Sequence, residues 1–153
     1  MRTLLLSIIL VISTLSLSSC KKEKAENQAK KDRDIILKYI SDNGLTADST
    51  ESGIYYVIDS IGSGNRPNAN SNVRVAYKGY FVDKVVFDES NSNGITFNLN
   101  QVIKGWTEGM QLFKEGGAGT LIIPSRLGYG DSNRGSIPAN SVLIFDVHLI
   151  EIL

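Results

Sequence analysis

The chain has 153 residues, of which 42% are hydrophobic, and its 16 basic and 16 acidic residues give a formal net charge of zero. This length is typical of one globular domain with a short extension. The balanced charge provides neither the basic excess that attracts nucleic acid nor an acidic block, so nucleic acid is not an expected partner. The single cysteine excludes an intramolecular disulfide.

Residues 1–19 have the pattern of a bacterial lipoprotein signal peptide. One positive charge, Arg2, precedes an apolar run from Leu4 to Leu17 that only Ser and Thr interrupt. This run is short for a membrane-spanning helix and typical of a secretory signal. A Leu-Ser-Ser triplet then leads into Cys20, an order that resembles the bacterial lipobox. We therefore expect cleavage before Cys20, lipid attachment to its sulfur as a membrane anchor, and a location in the bacterial cell envelope, at the outer membrane or the periplasmic face rather than in the cytoplasm. A free thiol is the alternative.

Two segments are expected between this cysteine and the folded domain. Residues 20–30 are charged and lack apolar periodicity, which predicts a solvated tether. Residues 31–46 contain an apolar stripe at helical spacing and then Asn43-Gly44, a typical helix stop, so they are predicted to form an N-terminal helix. The stripe consists of Ile35, Ile36, Tyr39 and Ile40. We expect this helix to pack on its own domain, with packing on a second copy of the chain as the alternative.

Residues 50–153 combine strand patterns and turns around one helix pattern. The strand candidates are GIYYVIDSI, VRVAYKGYFV, ITFNLN, GTLIIP and SVLIFDVHLIEIL. Alternation is clear in the second, where Val73, Val75 and Tyr77 share one face. The helix candidate lies within NQVIKGWTEGMQLFKEGG and contains the chain's only tryptophan, Trp106. The pattern predicts an α+β domain in which a five-stranded antiparallel sheet curls over one short helix, with the N-terminal helix as an extension.

The usual groups of covalent and acid–base catalysis are missing from the sequence. The only histidine, His148, lies in the last strand candidate on the face opposite Phe145, where a solvent-side position is expected. No serine stands in a nucleophile motif, and no cluster of Cys, His and carboxylates offers ligands for a metal. We therefore expect neither a metal nor another cofactor. What the sequence offers instead is a set of aromatic and aliphatic residues near the ends of elements, each of which, taken singly, is typical of a core.

The order of several blocks resembles the FKBP family of peptidyl-prolyl cis–trans isomerases. The blocks are VRVAYKGYF, VFDES, FNLNQVIKGWTEGMQLFKEG, IPSRLGYGD and IPANSVLIFDVHLIEI, and they extend from about Gly53 to Leu153. The resemblance implies a five-stranded antiparallel half-barrel wrapped around one helix, and prolyl isomerase activity. It also implies that proline-containing unfolded or exported polypeptides are partners, and it adds macrolide inhibitors as a second class of ligand.

The resemblance assigns roles to individual residues of an expected pocket. Trp106 matches the floor of an apolar cavity that holds a proline ring, Tyr129 the hydroxyl donor to a ligand carbonyl, and Asp88 the carboxylate beside the cavity. The expected walls and overhanging loop are formed by Tyr77, Phe87, Val102, Ile103, Ile137 and Phe145.

Two further positions of the expected binding surface depart from the family pattern. Ile95 stands where many members carry an aromatic residue, and Gln101 replaces an acid whose backbone usually binds ligand. A backbone contact survives a change of side chain, so Gln101 is retained among the substrate-binding residues. These departures favour prolyl peptides over macrolides as ligands.

Prolyl isomerisation explains why no nucleophile is needed. Rotation about a peptide bond costs ~18–20 kcal/mol because the C–N bond loses its resonance. No covalent bond is made or broken, so the protein need only favour the twisted amide over the planar one. An apolar cavity does this because the twisted amide carries less charge separation. Two other functions remain open: a non-catalytic chaperone or assembly module that holds proline-containing segments, and a structural spacer in an envelope complex.

Overall fold

The computed structural model describes the backbone of residues 2–153 and the side chains of residues 22–153. The helices are α1 (Arg2–Asp42) and α2 (Lys104–Gly109), and the strands are β1 (Asp48–Ser49), β2 (Tyr55–Ser60), β3 (Asn72–Tyr80), β4 (Val86–Glu89), β5 (Ile95–Asn98), β6 (Ala118–Ile123) and β7 (Leu143–Ile152). The expected signal peptide, residues 1–19, and the expected lipid-attachment residue, Cys20, lie outside the part whose side chains are described. Within the described part, no helix is long and apolar enough to cross a membrane.

All seven strands form one antiparallel sheet. Its order is β1-β2-β6-β7-β3-β4, and β5 pairs with the same edge of β3 as β4 does, nearer the start of the strand. The central pair β3–β7 extends from Val73 opposite Ile152 to Tyr80 opposite Ile144, and its register shifts by one residue between Arg74 and Val75. The predicted α+β class, with an antiparallel sheet around one short helix and an N-terminal helix, is confirmed.

The sheet has two strands more than the sequence predicted. β1 has only two residues, and β4, with the sequence VFDE, does not alternate apolar and polar side chains, so neither strand is recognisable in the sequence. β4 is nevertheless important for the site, because it carries Phe87 and Asp88 and pairs with the second half of β3. Its register places Asp88 opposite Gly79.

The charged segment 20–30 belongs to α1 and is not a separate tether. It contains neither Gly nor Pro and is rich in Ala, Lys, Glu and Gln, which favour helix. A Lys22–Glu26 pair at 3.8 Å adds a contact one turn apart on the exposed surface. The predicted helix 31–46 is therefore the last part of a longer helix, and it ends at Asp42.

The helix stop predicted at Asn43-Gly44 is present as a Schellman motif. Gly44 has a φ of 61°, its N–H donates to the Ser41 carbonyl at 3.2 Å, and the Leu45 N–H donates to the Ile40 carbonyl at 3.0 Å. After this turn the chain enters β1. The stop thus fixes the length of helix that can lie against the sheet.

α1 packs on the convex face of its own sheet. Ile36 and Tyr39 are buried there, and the cluster that they form with the sheet contains Tyr80, Ile122, Val142 and Ile144. Alternation along β3 and β7 sends one set of side chains to this face and the other set to the concave face. The concave face therefore carries a separate core, in which Val73, Val75, Leu149 and Phe113 are fully buried.

The helix on the concave face is shorter than its apolar stripe suggested. α2 has six residues, and 3-10 turns flank it at Leu99–Gln101 and Met110–Leu112. Two glycines let it lie directly on β6: a Cβ at Gly105 would come within 2.4 Å of Ile123, and one at Gly109 within 2.7 Å of Leu121. This close approach sets the depth of the neighbouring Trp106.

Candidate functional site

A cavity of about 450 Å³ opens on the concave face between α2, β4, β5 and the loop after β6. Its lining includes nine residues that the sequence assigned to the pocket, which are Tyr77, Asp88, Ile95, Gln101, Val102, Ile103, Trp106, Tyr129 and Phe145. Phe97 and Arg134 complete the lining and were not predicted. Phe87 and Ile137 were predicted but do not line it. The volume is in the range of pockets that take small ligands.

Trp106 forms the centre of an aromatic group. Its ring centroid lies 5.1 Å from that of Tyr77, 5.3 Å from Phe97 and 5.2 Å from Phe145, with interplanar angles of 86°, 62° and 89°. Edge-to-face contacts of this kind are favourable because the positive edge of one ring meets the negative face of another. Trp106 is 5% exposed and still borders the cavity, which fits the floor position that the family resemblance implies.

Hydrogen bonds hold the start of α2, which carries Trp106, in place. The Trp106 N–H donates to the Ile103 carbonyl at 2.9 Å, which starts α2. The Thr107 hydroxyl donates to the Leu99 carbonyl at 2.6 Å and ties α2 to the preceding 3-10 turn. Val102 and Ile103, between these elements, are therefore held at the cavity edge.

Phe87, which is partly exposed, packs against the lining residue Phe145. Its ring centroid lies 5.5 Å from that of Phe145 at an interplanar angle of 85°, and 4.9 Å from that of Phe81. Gly79 on β3 leaves the space for this pair, because a Cβ there would come within 2.6 Å of Phe87 and 2.8 Å of Phe145. Phe87 therefore contacts the lining through Phe145, and its assignment to the wall stays a prediction.

Ile137 lies behind the surface to which it was assigned. It is 8% exposed and belongs to the concave core. Its backbone forms an isolated bridge with Arg134, with N–O distances of 2.8 and 2.9 Å in the two directions. Ile137 therefore anchors the overhanging loop, and Arg134 is the residue of this bridge that reaches the cavity.

Tyr77 and Asp88 form the polar side of the cavity. The Tyr77 hydroxyl donates to Asp88 Oδ2 at 2.6 Å. The pKa of Tyr77 is raised well above its usual range, first because burial desolvates the phenolate, and then because Asp88 accepts its proton in a hydrogen bond and adds negative charge. Tyr77 therefore remains a neutral donor to the carboxylate throughout the neutral range.

Tyr129 occupies the opposite rim, on the loop between β6 and β7. It is 37% exposed, and within the described residues its hydroxyl has no hydrogen-bond partner in the protein. The flanking Gly128 and Gly130 both donate their N–H groups to the Ser125 carbonyl, at 3.0 and 2.8 Å. The phenol is thus available to a ligand while the backbone beneath it is bonded.

The two lining residues missed from the sequence differ in how visible they were. Phe97 lies two residues after Ile95 on the same face of β5, so periodicity placed it beside a predicted pocket residue. Arg134 lies in a loop without a repeating pattern, and no signal in the sequence indicated its position. His148 is exposed on β7, as predicted.

Comparison with known proteins adds independent information. A family profile described as FKBP-type peptidyl-prolyl cis-trans isomerase matches residues 64–150. The chain is 43% identical to the FKBP-type peptidyl-prolyl cis-trans isomerase FkpA of Aeromonas hydrophila, over 92% of this chain and 52% of that protein. It is 38% identical to the FkpA protein of Escherichia coli K12, over 86% of this chain and 48% of that protein. The chain thus spans about half the length of these curated relatives.

Solved structures agree with this assignment. A crystal structure of a peptidyl-prolyl cis-trans isomerase from Pseudomonas syringae superposes with a TM-score of 0.73 at 31% identity, covering 83% of this chain and 94% of that one. The crystal structure of FkpA from Escherichia coli superposes with a TM-score of 0.69 at 32% identity, covering 93% and 71%. With the profile matched over more than half of its length, the chain belongs to the FKBP-type peptidyl-prolyl cis-trans isomerase family.

Proposed function

We propose that this protein is a peptidyl-prolyl cis–trans isomerase that acts on proline-containing polypeptides. The observation that carries the proposal is the cavity that Trp106 borders, whose walls are aromatic and whose rim holds the Tyr129 phenol, without a hydrogen-bond partner among the described side chains. A proline ring is apolar and compact enough for such a cavity, and a backbone carbonyl of the bound chain can accept a hydrogen bond from the phenol. Membership of the family supports the same function.

The cavity would act by differential stabilisation. Trp106, Phe97 and Phe145 exclude water from the prolyl amide, which disfavours the planar, charge-separated form more than the twisted one. The Tyr129 hydroxyl donates to a carbonyl of the bound chain and fixes the residue that carries it while the prolyl bond rotates. Uncatalysed exchange takes tens to hundreds of seconds, so a modest reduction of the barrier is useful to a folding chain.

The Tyr77–Asp88 pair would hold the wall in place and take no part in proton transfer. Its hydrogen bond orients the Tyr77 ring edge-on to Trp106. Replacing Asp88 by Asn would keep an acceptor at this position, and replacing it by Ala would remove it. The two variants therefore separate orientation of Tyr77 from the effect of the negative charge.

The test of the isomerase proposal is an exchange measurement by NMR on a short prolyl peptide with the full chain in detergent. Wild type is expected to accelerate cis–trans exchange, and a Trp106→Ala, Phe145→Ala double variant is expected to lose the acceleration. Circular dichroism on the double variant verifies that it is folded at the temperature used. Exchange at the uncatalysed rate in the presence of folded wild type would overturn the proposal.

A holding function is the second candidate, favoured by the exposed apolar side chains beside the cavity. Ile95 lies at its mouth and is 45% exposed, and Tyr129 on the opposite rim is 37% exposed. Such a surface suits apolar segments of an unfolded chain. The Trp106→Ala, Phe145→Ala double variant separates the two functions, because suppression of aggregation that persists after loss of peptide turnover would favour holding by the exposed surface.

We also propose that the clients are exported proteins and that Cys20 anchors the chain to an envelope membrane. The support is the apolar run from Leu4 to Leu17, followed by the chain's single cysteine. Mass spectrometry of the membrane fraction is expected to find diacylglycerol on wild-type Cys20 and no acyl mass on a Cys20→Ser variant. An unmodified wild-type cysteine in that fraction would contradict the anchor.

A further inference from the structure

Asp32 on α1 is a charged residue with no exposed surface. Its exposed fraction is 0%, and Asp32 and Ser125 are the buried polar residues of the described part of the chain. An ionised carboxylate is costly to bury unless donors compensate its charge. The residue lies in a run of charged residues, KKDRD, whose other members are exposed. Its burial therefore requires specific partners.

The hydrogen-bond partners of Asp32 are Ser125, in the turn that follows β6, and Gln28 on α1. Asp32 Oδ2 accepts the Ser125 N–H at 2.9 Å and the Ser125 hydroxyl at 2.6 Å. Asp32 Oδ1 accepts the Gln28 side-chain amide at 2.7 Å, one helical turn away. Among the described side chains, no basic group lies within salt-bridge distance of it. Three donors, two of them from one residue 93 positions away, thus hold the carboxylate.

Ser125 also bonds to the loop that carries Tyr129. Its N–H and hydroxyl bond to α1, while its carbonyl accepts the N–H groups of Gly128 and Gly130, at 3.0 and 2.8 Å. These glycines flank Tyr129. The Gly130 carbonyl in turn accepts the Asn140 N–H at 2.7 Å and closes the loop. An unbroken path of hydrogen bonds therefore connects the buried carboxylate of α1 to the backbone on both sides of Tyr129.

We propose that Asp32 is a positioning residue for Tyr129, so that its contact with Ser125 sets the affinity of the cavity for prolyl ligands. Tyr129 depends on such support because it lies between two glycines, one with a φ of 62°, and is partly exposed, so side-chain packing alone holds it weakly. The inference rests on the proposed isomerase function, in which Tyr129 donates to the ligand. The proposal gives α1 a role in ligand binding, although no residue of α1 lines the cavity.

The first test measures the loop without any ligand. Asp32→Ala in the full chain is expected to speed amide hydrogen exchange at Gly128 and Gly130 by at least about fivefold relative to amides of β3 and β7, because local opening no longer breaks the bonds to α1. Asp34→Ala is the matched control, since Asp34 lies two positions away on the same helix and is exposed. Equal exchange at the two glycines in Asp32→Ala and wild type would overturn the proposal.

The second test separates positioning from general destabilisation by a double-mutant cycle on prolyl peptide affinity. Asp32→Ala is expected to weaken binding about 2- to 10-fold when Tyr129 is present, the range of one hydrogen bond. In a Tyr129→Phe background the same change should have less than about a twofold effect, because the two residues act on one contact. An equal loss in both backgrounds would show that Asp32 acts by stabilising the whole domain, and would overturn the proposal.

Two further variants keep the test decisive if Asp32→Ala does not fold. Asp32→Asn keeps one acceptor and Ser125→Ala keeps the backbone donor, so each removes part of the contact and takes the place of Asp32→Ala in both measurements. Folded wild type that neither binds nor turns over prolyl peptides would overturn the proposed function. The exchange measurement would still support or contradict the link between Asp32 and the loop.

Discussion

Strand β3 carries two tyrosines that bond to aspartates of neighbouring strands on opposite faces of the sheet. On the concave face the Tyr77 hydroxyl donates to Asp88 at 2.6 Å, and on the convex face the Tyr80 hydroxyl donates to Asp146 at 3.0 Å. The two tyrosines are three residues apart, so the alternation of the strand separates them. The same chemical pair is therefore placed in two different surroundings.

The difference between these surroundings is what covers each face. Tyr80 is 8% exposed beneath α1, and the Lys84 ammonium lies 5.3 Å from its ring centroid and 4.4 Å from that of Tyr39. Tyr77 faces α2 across the cavity, where rings surround open space. Helix packing closes the convex face and leaves a cavity on the concave face, so buried cores on both faces stabilise the sheet and the proposed ligand site lies on the concave one.

Loss of the cavity floor should give the largest effect. Trp106→Ala is expected to destabilise the domain by ~3–5 kcal/mol and to abolish turnover, because the residue is buried and three rings pack on it. Tyr39→Ala on the convex face is the matched change, and it should lower stability while the folded fraction keeps its activity. Urea unfolding and kcat/KM on both variants provide the measurement. Equal loss of activity per folded molecule would remove the distinction between the faces.

Addition of one methyl group at Gly79 should displace rings next to the cavity. Gly79→Ala is expected to cost ~1–3 kcal/mol, because the added Cβ overlaps the rings of Phe87 and Phe145. The displaced rings should also raise KM for a prolyl peptide. Gly130→Ala tests a glycine that lacks such a contact, since a Cβ there meets nothing within 4 Å and only its positive φ is strained. An unchanged stability for Gly79→Ala, measured by thermal unfolding, would contradict the packing described.

Removal of one hydroxyl should have a smaller effect, confined to binding. Tyr129→Phe is expected to weaken prolyl peptide binding by ~0.5–1.5 kcal/mol, the net value of a typical hydrogen bond. Its stability should equal that of wild type, because the hydroxyl has no partner within the described protein. Isothermal titration and thermal unfolding together decide this. A marked loss of stability would show that Tyr129 is structural.

Changes of pH near neutrality should have the smallest effect. Between pH 6 and about 8, kcat/KM is expected to stay constant, because unperturbed Asp titrates near ~3.9 and Tyr near ~10. Burial raises the pKa of Tyr77 further from this range, and His148 is exposed on the strand surface outside the cavity. A bell-shaped profile would show that a proton transfer limits the reaction.

Alkaline pH should instead reveal both tyrosines through stability. The pKa of Tyr80 is also raised well above its usual range, first by burial and then by Tyr39 and Asp146. Folded protein therefore retains protons that the unfolded chain loses, so this stabilisation is complete below about pH 10 and is lost as pH rises toward the folded pKa values. Urea unfolding of Tyr77→Phe and Tyr80→Phe should each show a weaker alkaline decline than wild type.

Local patterns predicted the class of fold but not every element of it. Alternation and the Asn43-Gly44 stop predicted the long strands and the end of α1, because each depends on neighbouring residues. β4 was missed because its sequence, VFDE, does not alternate apolar and polar residues. The segment 20–30 was predicted as a tether because a flexible tether and a solvent-exposed helix have similar, charged compositions.

The site was predicted by resemblance, and its supporting contacts were not. Motif order identified most of the cavity lining, including Trp106 and Tyr129. Burial of Asp32 could not be predicted, since its partner Ser125 lies 93 positions away and a charged run indicates solvent.

Adjacent residues on β7 allow the most direct test of the separation between the two faces. Phe145 lines the cavity and Ile144 is buried beneath α1. Both changes to Ala remove core packing, at ~3–5 and ~2–5 kcal/mol, so stability should fall in each. The measurement is kcat/KM for a prolyl peptide, corrected for the folded fraction, in Phe145→Ala and Ile144→Ala. We expect a large loss in Phe145→Ala and near-wild-type activity in Ile144→Ala, and an equal loss in both would contradict the assignment of catalysis to the concave face.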